Sequence, residues 1–273
     1  MKIFVDSRYR TPESASSSDF TIELTETLQL PSRCRVRIHD LSIPFSWYTV
    51  EPGLNQYIYY SEKAIDNSDT FQVLTLPAGQ YSGPQLAVAL ALGLNAASIF
   101  RIQGSPDPYN VTYSDTRGTI SIAVTTPGYS FVLYDDAHLR ARTTWPFSAG
   151  TQLQPQSFNR NLRLTRTLQY TFSFSFISEF VNLRTIDCLY LTSNSLGNLS
   201  NIGPRPGQRN VLSMIAVTSG WGYLNHSEGE SYEWTDASGQ ALKRLSFRLE
   251  DSTGAVVPLH GLDITFAVVL DLD

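Results

Sequence analysis

The chain has 273 residues, 42% of them hydrophobic, which is enough apolar mass for one large β domain or two smaller ones and excludes wholesale disorder. Charged residues reach only 16% and the formal net charge is −5, so the basic excess of a phosphate-gripping protein is absent and no specific nucleic-acid partner is expected. A surface so poor in charge must rely on Ser, Thr, Asn, Gln and Tyr, and it suits permanent contact with neighbouring subunits. Arg far outnumbers Lys, which favours planar, bidentate interface contacts.

From the N-terminus, Met1–Arg10 carries polar and charged residues where a secretory signal needs an apolar core. No run of about 18 apolar residues occurs, so no transmembrane segment is expected. Phe20–Leu24 and Cys34–Ile38 alternate apolar and polar residues, the period of a strand with one wet face. Tyr57–Tyr60 and Phe71–Leu76 follow as aromatic and β-branched strands. One helix is predicted near 84–95: Ser82-Gly83-Pro84 reads as a cap with an early Pro, Gln85–Leu92 is rich in Ala and Leu, and Asn95 is a stop. Its apolar faces mark it as a core helix. Asn110–Tyr113 and Thr119–Thr125 form a hairpin around Ser114–Gly118, and Tyr129–Tyr134 is a further strand.

Regular patterning lapses between Ala141 and Asn161, which predicts a linker or long crossover. It resumes at Leu168–Ile177, whose alternation places Tyr170, Phe172, Phe174 and Phe176 on one face. Leu183–Thr192, Val211–Thr218, Ser231–Trp234, Leu245–Glu250 and Ile264–Leu270 complete the strands, with a turn at Asp251–Gly254. The expected class is all-β, a β-sandwich architecture with one short core helix. The preferred division is two sandwiches, 1–155 and 156–273; the alternative is one composite sandwich whose halves exchange strands.

No catalytic constellation emerges. His39, His138, His226 and His260 are scattered, and neither a G-x-S-x-G elbow nor a G-x-x-x-x-G-K-[ST] loop is present. Asp135-Asp136-Ala137-His138 and His226–Glu230 read as solvated turns rather than cation sites. Cys34 and Cys188 lie in apolar stretches and read as buried free thiols, compatible with assembly in a reducing compartment. The sequons at Asn110, Asn198 and Asn225 are taken as chance matches. No catalytic, cofactor-binding or metal residue is assigned, and the chain is not expected to be an enzyme.

Interface residues are sought instead. Tyr9, Trp47, Tyr48, Trp221 and Tyr223 lie in irregular stretches as candidate aromatic anchors, with Arg10 beside the first of them. Arg205 and Arg209 sit in the stiff loop Gly203–Asn210, a candidate clamp for an acidic neighbour or a phosphate.

The order of several segments carries a resemblance: Phe4–Arg10, a Ser-rich gap, Asp19–Leu24, Ile43–Tyr48, and Leu76–Tyr81 before the helix. It continues through Leu183–Tyr190, the loop from Gly203 to Val211, Leu245–Asp251, Gly254, Leu259–Gly261 and Ile264–Leu270. In this order the chain resembles the jelly-roll minor capsid or penton-type proteins of eukaryotic double-stranded DNA viruses and virus-like elements, of the Polinton, virophage and giant-virus lineage. The resemblance implies a jelly-roll-type sandwich and a capsid building block. Such a subunit would form a homo-oligomer, pentamer or trimer, and would meet other capsid proteins such as a major capsid protein. It would reside in the virion capsid after assembly in host cytoplasm or nucleus. The Ser-rich arm Arg8–Asp19 would be a mobile tie that orders on assembly. An alternative is a glycan-binding or receptor-attachment sandwich, which Trp221 and Trp234 lying together at one end of the fold would favour. A hydrolase would need His138 or His226 within reach of a Ser and a carboxylate.

Overall fold

The computed structural model describes residues 1–66, 68–102, 107–134, 173–196, 203–208, 210–229 and 234–272. The N-terminal strands are β1 (Lys2–Asp6), β2 (Asp19–Gln29) and β3 (Arg35–Pro44). Next come β4 (Tyr57–Lys63), β5 (Asp69–Thr75), helices α1 (Gly83–Ala97) and α2 (Ile99–Ile102), then β6 (Tyr109–Ser114), β7 (Thr119–Val124) and β8 (Ser130–Leu133). The C-terminal strands are β9 (Ser175–Ile177), β10 (Cys188–Thr192), β11 (Val211–Ala216), β12 (Leu224–Ser227), β13 (Thr235–Asp236), β14 (Ala241–Glu250) and β15 (Thr265–Asp271). The class is all-β.

Two compact units share this chain: Met1–Trp47 with Ile186–Asp273, and Tyr48–Thr185. The first is a jelly roll. One of its sheets runs β1-β15-β3-β12, with β13 also on β3, and the other runs β11-β10-β14-β2. Numbered along the chain without the two-residue β13, the eight strands run first-eighth-third-sixth and fifth-fourth-seventh-second. That order is two nested Greek keys, the jelly-roll connectivity. Inward residues of both sheets meet in one apolar cluster, including Val36, Ile38, Leu189, Leu191, Phe247 and Phe266. Phe247 sits directly opposite Phe20 in the β14–β2 register and makes an edge-on contact with Phe266, at 4.9 Å between centroids. A bulge at Asp40 (φ 52°) inserts an extra residue into β3 opposite β15. It moves the inward face from Val36 and Ile38 to Leu41 and Ile43, which strict alternation would have turned outward.

The observed division is not the expected pair of consecutive halves. β1 pairs with β15 and β2 with β14, so the sandwich is closed by the two ends of the chain, and the second unit is inserted between β3 and β10. Position 155 falls within the inserted range and outside the described residues. Sequence periodicity marks strands and is silent on their partners, which is why a single cut looked natural.

In the inserted unit, one sheet runs β5-β4-β8 and another β6-β7-β9. The helix follows its predicted signals: Ser82 caps α1, the Ser82 N–H donates to Gln85 Oε1 at 2.9 Å, and Pro84 occupies the first turn. It buries Leu86, Ala87, Leu90 and Leu94. Asn95 does not end it; its side chain pairs with the Tyr109 backbone at 2.7 and 3.0 Å and ties α1 to β6, while Ser98 is the C-cap. Beneath the helix end lies Glu62 of β4, fully buried. It accepts from Ser98 Oγ at 2.6 Å, Tyr109 Oη at 2.7 Å and the Ile99 N–H at 2.9 Å.

Two expectations change here. The arm Arg8–Asp19 is pinned to its own sandwich: Thr11 N–H donates to Thr21 O at 2.8 Å, and the buried Ser17 donates to Leu262 O at 2.6 Å. Phe174 and Phe176 do not share an environment, because the chain bends at Phe174 before β9; Phe176 is buried and Phe174 exposed. Tyr170 and Phe172 lie outside the described residues, as does the expected linker. Among the described residues no helix is long and apolar enough to cross a membrane.

Candidate functional site

The jelly roll exposes large apolar side chains along two opposite edges. On one side β1 and β2 are the outermost strands of their sheets. Between them opens a cleft of about 570 Å³ whose lining includes Ile3, Val5, Ile22 and Leu24, with Asp6 and Glu23 among its polar groups. Phe4, 79% exposed, and Tyr9, 80% exposed, also line it. Strand parity explains the exposure of Phe4: Ile3 and Val5 turn to the core, and Lys2, Phe4 and Asp6 share the opposite face. Met1 and Ser7 bond to the Leu270 and Ile264 carbonyls, so Ile3 and Val5 face β15 with their amides, and Lys2, Phe4 and Asp6 turn theirs to the open edge. Tyr9 closes a short 3₁₀ turn, Ser7–Tyr9, capped by Asp6, which accepts from the Arg8 N–H at 3.0 Å. The Arg8 guanidinium hydrogen-bonded to Asp6 holds that carboxyl below its usual range. Arg10 reaches back to Ser7 O at 2.8 Å and Asp263 at 3.2 Å.

On the other side β12 and β11 are outermost. The turn before β12 is fixed by its backbone: Phe45 N–H donates to Tyr223 O at 2.9 Å, and Gly222 N–H to Phe45 O at 2.8 Å. Asn225, buried, accepts from the Thr218 and Ser219 amides, both at 3.1 Å. Its sequon is therefore no open glycan acceptor. This bracing holds Trp221 (46% exposed), Tyr223 (71%) and Leu224 (62%) outward, with Met214 exposed on β11. Residues 211–227 contain no Asp, Glu, Lys or Arg.

The remaining predicted positions separate. Trp47 is not a surface anchor: it is 1% exposed, packed against Phe45 at 4.3 Å in the sandwich core. Tyr48 is half-buried and begins the inserted unit. Arg205 bonds Glu250 Oε2 of β14 at 2.5 Å, and Arg248 approaches the other oxygen of that nearly buried carboxylate at 3.3 Å. The guanidinium is thus already engaged in tying its loop to the sheet. Arg205→Ala is expected to cost about 1 kcal/mol and to speed limited proteolysis within 203–208, read by peptide mapping. Arg209 lies outside the described residues.

Trp221 and Trp234 do not lie together. Trp221 precedes β12, which pairs with the Pro44 end of β3; Trp234 stacks under Arg35 and Arg37 at the other end, 5.5 and 5.1 Å from its ring centre. Seven residues of strand, roughly 23 Å, separate those ends. His226 is exposed on β12, and His138, with the Asp135–His138 cluster, lies outside the described residues. Among the described residues no three His, Cys, Asp or Glu side chains converge where a metal ion could sit.

No family model matches the chain, and no curated protein matches it in sequence. Among solved structures it is similar to the selenomethionine-labelled penton protein of mavirus. The two share 10% sequence identity at a TM-score of 0.51, over 99% of each chain. At that identity the likeness is one of fold, and it extends across both units.

Phe4, Met214 and Leu224 are not among the interface candidates read from sequence: Met214 falls in the predicted strand Val211–Thr218 and reads as core, while Phe4 and Leu224 fall outside every predicted strand. Parity was the available signal. Phe4 shares a face with Lys2 and Asp6, and an apolar residue between two charges on one strand face belongs to the surface.

Proposed function

We propose that this chain is a structural, non-enzymatic subunit of a viral capsid, a penton-like minor capsid protein that works by oligomeric assembly. The observation that carries the reading is the full-length likeness in fold to a viral penton protein, spanning the jelly roll and its insertion. The physical character of the surface supports it. A chain with 16% charged residues presents bare aromatic edges on a rigid sandwich, which is costly for a lone monomer and useful in a shell. Its partners would be copies of itself, as pentamer or trimer, and other capsid proteins such as a major capsid protein, within a virion assembled in host cytoplasm or nucleus.

Sedimentation velocity over a hundredfold concentration range is expected to show a discrete closed oligomer, seen as rings by negative-stain electron microscopy. A protein that stays monomeric throughout, alone and with its partner capsid proteins, would remove this reading.

A further inference from the structure

We propose that the two aromatic edges of the jelly roll are halves of one contact: the Trp221-Tyr223-Leu224 edge of one copy seats in the β1/β2 cleft of the next. The inference rests on the capsid-subunit reading and names the surface through which that assembly runs.

Shape is the first argument. One edge is a projection, a braced turn with three large apolar side chains held outward, and the opposite edge is a hollow of about 570 Å³ over apolar residues. A projection and a hollow on opposite sides of one rigid sandwich make a head-to-tail contact, which repeats and closes when the rotation between copies divides a full turn.

Area is the second. The exposed parts of Phe4, Tyr9, Met214, Trp221, Tyr223 and Leu224 come to roughly 800 Å², about half of the ~1,600 Å² of a standard interface. The polar rims of the two edges can supply the remainder.

Charge is the third. Solitary β proteins guard an open edge with Lys, Glu or Pro. The β11–β12 edge has no such guard, as residues 211–227 lack any of the four charged types. An uncharged edge can enter a cleft whose carboxylates are Asp6, paired with Arg8, Glu23, 3.5 Å from Arg244, and Asp40, whose Oδ1 lies 3.1 Å from His39 Nδ1. That edge brings none of the four charged types into the contact, so no ion on its side has to be desolvated. A second copy is the occupant that satisfies both surfaces at once, since any other partner would cover one and leave the other bare.

Phe4→Glu blocks the hollow and Tyr223→Glu the projection; both side chains are largely exposed, so each variant should keep the wild-type circular dichroism and melting midpoint. Each alone is expected to weaken self-association at least tenfold by sedimentation, leaving monomer where wild type forms the ring. Mixed one to one, they should recover a single contact and give a dimer that grows no further, because only one good projection and one good hollow remain per pair. If wild type forms rings and either folded variant does too, this contact is wrong while the capsid reading stands. If each variant alone stops at a dimer, the edges meet their own kind, and if both variants are monomeric yet the mixture gives no dimer, the two edges do not meet; either result overturns the head-to-tail pairing. A wild type that never self-associates, alone or with its partner capsid proteins, sinks both proposals together.

Discussion

Replacing Phe247 by alanine is expected to destabilise the jelly roll by about 3–5 kcal/mol, a large part of the 5–15 kcal/mol that typically holds a domain folded. The side chain is 1% exposed and sits where the sheets meet, between Phe20 at 5.7 Å and Phe266 at 4.9 Å. Truncation removes the transfer energy of the ring and both aromatic contacts, and the cavity lies between sheets whose backbone ladders resist collapse. The loss is best read by hydrogen exchange in β2 and β14, which reports this sandwich separately from the inserted unit. Protection there should fall by two to four orders of magnitude. Phe247→Leu should recover most of it. If protection in β2 and β14 barely changes, the ring does not bridge the two sheets.

Because β14 also carries Glu250 and Arg248, the same substitution would be expected to loosen the loop that Arg205 anchors. Core and surface are coupled here through one strand.

What could be read in advance followed from local physics. The helix was legible because capping is local: Ser82, Pro84 and the Ala/Leu run announce α1 within a dozen residues. The β6–β7 hairpin was legible for the same reason, since Gly118 supplies the left-handed backbone (φ 63°) that its turn needs. Asn95 misled because an amide can stop a helix or tie it to a neighbour, and the neighbour, Tyr109, lies 14 residues on. The inserted unit was illegible because its boundary, Trp47 to Tyr48, falls in a stretch where burial changes partner without changing character. Non-local strand pairing, β1 with β15 across the whole chain, leaves no trace in periodicity.

The interface candidates divide along similar lines. Tyr9 and Tyr223 were found through irregular flanking sequence, and both are exposed. Trp47 has equally irregular flanks, yet it lies in the core: the chain leaves β3 at Pro44 and carries the ring inward against Phe45. Irregular sequence marks the end of a ladder, and a ladder can end inside a protein. For Arg205 the composition was informative and its partner was not, because Glu250 lies 45 residues away.

The second large effect is expected at Glu62. Glu62→Ala should destabilise the inserted unit by about 3–5 kcal/mol, because a buried group that has lost its partner bears the full desolvation penalty. Three donors would be stranded at once: the Ser98 hydroxyl, the Tyr109 hydroxyl and the Ile99 amide. Its three partners are all neutral, and burial raises its pKa above the usual carboxyl range even though each of them favours the ionised form. The phenols that share its surroundings, Tyr109 and Tyr60, are pushed up by burial and then by the Glu62 charge, so both stay neutral at physiological pH. A carboxyl whose folded pKa exceeds its unfolded value, ~4.3, contributes stability that is complete below the unfolded value and lost as pH rises through the folded one. Acidification from neutrality toward that range should therefore stabilise the inserted unit, up to the point where other carboxylates begin to protonate. Glu62→Gln keeps the shape and cannot titrate, so its hydrogen-exchange protection in β4 and β6 should lose this slope while suffering less than the alanine variant. A Gln variant with the wild-type pH slope would assign the effect to another group. Equal stability of the alanine variant and wild type would mean that Glu62 does not hold α2 and β6 to β4.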